Sequence, residues 1–277
     1  MHVVVQGLKA TPEDAAALQS VCGARAVHAI GDGPTRAFRL VAPQTEDGVA
    51  EAATQRSVDC AFVPDDRRLA DVRVVSMDMD STLITIECVD EIGDMLGIKP
   101  GIAAITEAAM RGEIDFRASL TRRVGLLAGL PIEALQRVYD ERLRLSPGAE
   151  AMLRRFHAAG ATSLLVSGGF TFFTERLKLR VGLGHTLSNV LDVQDDKLTG
   201  RIVGDIVDAD AKSAALRTLR ESLPPGIAIA IGDGANDLPL FREADVSIAY
   251  RAKPIVRAQA THALDYSGLD GVANLFP

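Results

Sequence analysis

The chain has 277 residues, 47% of them hydrophobic, with 30 basic against 37 acidic side chains and a net charge of −7. That length suffices for one large domain or two modest ones with packed cores. The acidic balance, without a Lys/Arg-rich run, argues against a nucleic-acid partner, and no apolar stretch reaches membrane-spanning length. The segment Met1-His2-Val3-Val4-Val5-Gln6-Gly7 is apolar but lacks a basic flank, so it reads as a strand and not as a signal peptide. A cytoplasmic protein is expected. The three cysteines (Cys22, Cys60, Cys88) are far apart and predict neither a disulfide framework nor a zinc site. Cys88 reads as a small buried hydrophobe, and the five histidines are scattered without ligand spacing.

In chain order, Val3 to Val5 make a strand, and Thr11-Pro12-Glu13-Asp14 opens a helix with an N-cap and a proline in its first turn. Ala24 to Ile30 and Arg36 to Val41 read as strands joined by the turn Gly31-Asp32-Gly33-Pro34. A second helix over Glu46 to Arg56 and a strand at Ala61 to Val63 complete a βαββαβ order, the pattern of a small ferredoxin-like α+β module. Pro64-Asp65-Asp66-Arg67-Arg68 is a charged linker, so the first module is expected over residues 1–68.

Beyond it, apolar strands are expected at 72–77, 162–167, 227–231, 246–249 and 262–265, with amphipathic helices between them, such as 147–159. Near-continuous apolar strands alternating with helices predict an α/β fold, a parallel sheet covered on both faces. Residues 88–145 interrupt the rhythm with helices alone. They predict a helical cap inserted after the first core strand, the core being 69–87 and 146–277. Asp195-Asp196-Lys197 marks a hairpin.

The strand 72–77 runs into Asp78-Met79-Asp80-Ser81-Thr82, whose two carboxylates at i, i+2 fall on one side of an extended backbone. The strand 227–231 runs into Gly232-Asp233-Gly234-Ala235-Asn236-Asp237. Side by side, two such strand ends build an acidic pocket for a hard dication and a phosphoryl group. Ser167-Gly168-Gly169 ends another strand, with a hydroxyl and backbone N–H groups able to hold phosphate oxygens. Lys212, in a helix after Asp208-Ala209-Asp210, supplies a cation. A phosphate monoester resists attack because its oxygens are negative, so such a site must neutralise charge and position an in-line nucleophile. Asp78 is the expected nucleophile, giving an aspartyl-phosphate, and Asp80 the acid and base that serves the leaving oxygen and then water. Lys212 neutralises charge beside them.

These four segments, in this order, resemble the haloacid dehalogenase-like superfamily. The stretch from Asp78 to Ile92, then Asp115-Phe116 through Arg122-Arg123-Val124, then Ser167 to Phe170 resemble its phosphoserine phosphatase branch more closely. The resemblance implies a Rossmann-like core and a Mg²⁺ ion held by the Asp78 carboxylate, the Asp80 backbone carbonyl and Asp233, with Asp237 orienting Lys212 and metal-bound water. It implies Glu87 facing a serine ammonium, Arg123 or its neighbour Arg122 the carboxylate, Phe116 closing over them, Ser167 and Gly168 at the phosphate, and Asn236 at the phosphate or the rest of the substrate. The substrate expected is O-phosphoserine, with serine as a product inhibitor and Mg²⁺ as cofactor. Rival readings are another small phosphomonoester, transfer to an alcohol other than water, or a receiver-type domain, which the cap and the acid at Asp80 speak against. The first module resembles ACT-like regulatory domains, and its role is either amino-acid sensing or pairing of subunits as a homodimer.

Overall fold

The computed structural model describes residues 1–277 apart from the Met110 side chain. The N-terminal module runs β1 (His2–Gly7), α1 (Pro12–Cys22), β2 (Ala26–Ile30), β3 (Arg36–Val41), α2 (Val49–Gln55) and β4 (Asp59–Val63). Its sheet has the order β2-β3-β1-β4, antiparallel throughout, with His2 opposite both Val41 and Val63. Thr11 caps α1, as the sequence predicts, and the structure adds a capping box with Asp14. Alternation along β1 turns Val3 and Val5 toward Leu18 of α1 and Leu40 of β3.

The remainder holds β5 (Val72–Met77), α3 (Cys88–Met95), α4 (Lys99–Met110), α5 (Phe116–Gly125), α6 (Glu133–Arg137), α7 (Ala149–Ala158), β6 (Thr162–Phe170), α8 (Thr171–Val181), β7 (His185–Gln194) and β8 (Lys197–Val203). It continues with α9 (Ala209–Glu221), β9 (Ile227–Gly232), α10 (Leu238–Arg242), β10 (Val246–Tyr250), α11 (Pro254–Arg257) and β11 (His262–Leu264). The sheet order is β11-β10-β9-β5-β6-β7-β8, parallel except for β8. Period-2 alternation sends Val75, Met77, Ile229 and Ile231 into one core and Val74, Ala228, Ala230 and Leu164 into the other. Both faces are therefore covered, as a parallel sheet requires. No helix among the described residues is long and apolar enough to cross a membrane.

The structure departs from the sequence expectation at β6, which continues past its expected end at Ser167 as far as Phe170. The expected hairpin at 195–196 forms, and it adds β8 to the edge of the main sheet. Its turn residues Asp195 and Asp196 have φ of 53° and 58°, the positive values a two-residue hairpin demands. The α3–α6 cap rests on this hairpin: the Gly129 N–H donates to the Leu198 carbonyl at 2.7 Å, and the Ile132 N–H to that of Asp196 at 2.9 Å. Two linkers join cap and core, paired at Ile84 and Leu145.

Two buried carboxylates fasten the N-terminal module to residues 265–276. Asp59 accepts the backbone N–H groups of Asp265, Tyr266 and Ser267. Asp270 accepts the N–H and hydroxyl of Thr35, and Asn274 donates to Gln6.

Candidate active site

β5 lies between β9 and β6, with Met77 opposite Ile231 on one side and Leu165 on the other. The next residues of all three strands therefore emerge at one sheet edge. Asp78 stays in register, its N–H donating to the Ile231 carbonyl at 3.0 Å. Gly232 is required here: a Cβ would lie 2.3 Å from Oδ2 of Asp237. A cavity of about 650 Å³ sits on this edge beneath the cap, lined on the core side by Asp78, Asp80, Ser167, Gly168, Asp233 and Asn236.

Lys212 and Asp237 are buried, and the ammonium lies 2.8 Å from Oδ1 of Asp78 and 3.0 Å from Oδ1 of Asp237. Burial pushes this lysine toward its neutral form, but the two carboxylates outweigh it and raise its pKa. Burial pushes the Asp78 carboxyl up and Lys212 opposes that push; a contact this short is the geometry of an ion pair. Oxygens of Asp78, Asp233 and Asp237 lie within 4.8 Å of one another. Asp237 is already committed, one oxygen to Lys212 and the other to the Gly234 N–H at 3.2 Å. By contrast, Oδ2 of Asp78 and Oδ2 of Asp233 accept no hydrogen bond among the described residues, while their Oδ1 atoms take Met79 N–H at 2.8 Å and Thr82 Oγ1 at 3.2 Å. Two open carboxylate oxygens over a third, fixed carboxylate fit a hard divalent cation.

The Asp80 side chain turns from this cluster. Its Oδ1 accepts the Cys88 N–H at 2.8 Å and its Oδ2 faces Ser167 Oγ at 3.4 Å. Burial, reinforced by the Glu87 charge, lifts its pKa from 3.8 to about 7. A carboxyl that gives and takes a proton near neutrality suits acid–base work. Burial likewise lifts Asp233 to about 6, aided by Asp237 and Glu87.

The cap supplies the opposite wall. Glu87, just before α3, accepts the Ser81 hydroxyl at 2.7 Å. Arg123 of α5 lines the cavity with its Nε unpartnered among the described residues, whereas Arg122 faces solvent. Phe116, at the start of α5, hangs over Gly168, where a Cβ would come 2.9 Å from its Cζ. Every residue expected at the site except Arg122 thus meets around one cavity or directly behind it. Sequence reasoning passed over Asp90 and Lys253, which also line the cavity, and gave Thr82 no contact. Asp90 sits three residues after Glu87, one helical turn on, which was a legible signal; Lys253 arrives from a loop after β10 with none.

Residues 75–242 match the family model described as haloacid dehalogenase-like hydrolase. Over 217 residues the chain is 51% identical to the phosphoserine phosphatase of Polaromonas sp., covering 76% of this chain and 92% of that one. The crystal structure of a probable phosphoserine phosphatase from Vibrio cholerae, in unliganded form, superposes with a TM-score of 0.85 at 34% identity, over 99% of this chain and 85% of the other. A structure described as a phospho-aspartyl intermediate analogue of phosphoserine phosphatase gives a TM-score of 0.69 at 32% identity, over 75% of this chain and 100% of that one. The chain belongs to the haloacid dehalogenase-like hydrolase family.

Proposed function

We propose that this chain is a phosphoserine phosphatase, hydrolysing O-phospho-L-serine to L-serine and phosphate through an aspartyl-phosphate on Asp78. The observation that carries the reading is a nucleophile-and-acid pair, Asp78 and Asp80, under a cap that offers one anion, Glu87, and one cation, Arg123, to the rest of the substrate. A zwitterionic amino acid calls for that combination, and a guanidinium grips a carboxylate with two parallel bonds. The similarity to phosphoserine phosphatases over most of the chain supports the same substrate.

In the first half-reaction an oxygen of Asp78 attacks phosphorus, the bond to the serine oxygen breaks, and Asp80 gives that oxygen its proton. In the second, Asp80 takes a proton from water as the water attacks phosphorus, which frees phosphate and restores the Asp78 carboxylate. Lys212 and the N–H groups around Ser167–Gly169 balance phosphoryl charge in a site closed by Phe116. Asp78 and Asp233, with the Asp80 carbonyl, would hold Mg²⁺, with Asp237 behind them fixing Lys212; the ion supplies further neutralisation of the phosphoryl oxygens. A cytoplasmic setting, supported by three unpaired cysteines, and a homodimer through the ACT-like module, with serine as inhibitor, belong to the same reading.

The test is phosphate release from L-phosphoserine with and without Mg²⁺, beside Asp78→Asn and a panel of other phosphomonoesters. Metal-dependent release selective for phosphoserine and absent in Asp78→Asn is expected. Turnover of the panel without phosphoserine would leave the nucleophile and overturn the substrate.

A further inference from the structure

Away from the catalytic cavity, a cleft of about 410 Å³ opens where three parts of the chain meet. Pro34 of the β2–β3 turn forms one rim, and Arg144 and Ser146 of the linker returning from the cap form the second. Arg154 of α7 and Arg180 of α8 form the third. Among the described residues, none of these three arginines has a carboxylate at ion-pair distance. Neighbouring arginines do: Arg142 pairs with Glu91 and Asp94, and Arg155 with Asp32. The cleft's single carboxylate belongs to Glu150. A local excess of two positive charges thus persists in a chain whose net charge is −7.

One of the three cations is held in place. The Arg144 guanidinium donates to the carbonyls of Leu143 at 2.8 Å and Glu141 at 3.0 Å, which fixes its plane and leaves the rest of its fork free. All three arginines are exposed at the border of one concavity, and guanidinium groups suit an oxyanion there because each fork matches two oxygens. The same linker is paired with the one that leads into the cap: the Thr85 N–H donates to the Arg144 carbonyl at 2.9 Å, and the Ser146 hydroxyl to the Thr82 carbonyl at 2.6 Å.

We propose that this cleft binds a small oxyanion of two or more charges, gripped by Arg144, Arg154 and Arg180. Bound there, the anion ties the cap's return linker to α7 and α8, and restrains the paired linkers between cap and core from a point outside the catalytic cavity. The site stands apart from the reaction assigned above, since none of its residues lines the catalytic cavity.

The probes are inorganic phosphate and, in a separate arm, tricarballylate, titrated calorimetrically into the full-length protein after removal of divalent metal. The two arms separate a phosphate site from a carboxylate site. A saturable event is expected that weakens at least tenfold in Arg154→Ala/Arg180→Ala, while phosphomonoester turnover measured without the anion stays at the parent value. Glu150→Gln, which removes the opposing carboxylate, tightens it about threefold. Amide exchange at residues 83–87 and 143–146 slows when the anion is present, and does so only in proteins that retain the arginines. Titrations that are the same for the parent and the double variant, or no slowing of exchange at the linkers, would overturn the proposal.

Discussion

Replacing Lys212 with methionine keeps most of the side chain's bulk and deletes one charge. The ammonium is buried between Asp78 and Asp237 at 2.8 and 3.0 Å, so each contact carries roughly 6 kcal/mol of gross attraction at an effective dielectric of about 20. Most of that offsets the cost of burying three charges. What the variant loses is the compensation of two carboxylates that stay inside, about 3–5 kcal/mol. For a chain of this size, about 1 kcal/mol moves the thermal midpoint by roughly 2–4 °C, so a fall of about 6–20 °C is expected at pH 8. The sign of the pH dependence follows. Without Lys212 nothing opposes the burial that pushes the Asp78 carboxyl up, so it binds its proton more tightly folded than unfolded, and its contribution is intact at low pH and lost as the pH rises. The deficit therefore shrinks at pH 5, and a divalent cation recovers part of it at pH 8. Scanning calorimetry at the two pH values, with and without Mg²⁺, reads this directly. A drop below 3 °C at pH 8, or equal drops at both pH values, refutes the account of a charge-compensating lysine.

Asp80 titrates at about 7 when folded against 3.8 as a free side chain. Its stabilising contribution is full below about 3.8 and gone once the pH passes about 7. Release of the leaving alcohol in single-turnover assays should accordingly fall above about pH 7, and Asp80→Asn should flatten that limb; an unchanged limb in the variant rejects Asp80 as the acid. His262 is pushed down to about 4 by burial and by Arg67, whose guanidinium lies 2.8 Å from its Nε2. It stays neutral when folded, so stability is intact above about 6.5 and falls by about 3 kcal/mol as the pH drops through 4. His262→Gln should lose less in thermal midpoint between pH 7 and 4.5 than the parent, and parallel curves would remove His262 from the account. Gly168→Ala brings a methyl group to 2.9 Å from Phe116 Cζ and forces the ring aside. A KM raised about tenfold at a thermal midpoint within about 2 °C is expected, reversed by adding Phe116→Ala; a KM that stays at the parent value shows that the ring has no part in closure.

The acidic segments that meet at the candidate site were legible because each is local. Asp78 and Asp80 announce themselves two residues apart at the end of an apolar run, and Asp233 with Asp237 repeats the pattern at the next strand. The parallel sheet followed from strands without a polar face, such as Ile227–Gly232, buried on both sides. β7 was harder to read: its exposed residues alternate weakly, and only the turn at Asp195–Asp196 betrayed it. The choice between Arg122 and Arg123 was not legible, since neighbours on a helix point about 100° apart and the sequence does not say which direction faces the cavity. Lys253 and the fastening of the first module were hidden for another reason. Their contacts join residues far apart in the chain, and a pattern read over ten residues carries no trace of a partner two hundred away.

The Asp59 contacts bear on the order of synthesis. A growing chain makes Asp59 more than two hundred residues before the amides of Asp265, Tyr266 and Ser267 that it accepts. Throughout translation of the intervening sheet, the first module must keep a carboxylate in water at the spot that later becomes interior. The module can fold early, but it can dock only after β11 has left the ribosome, and the docked arrangement then reports that the whole sheet has been made.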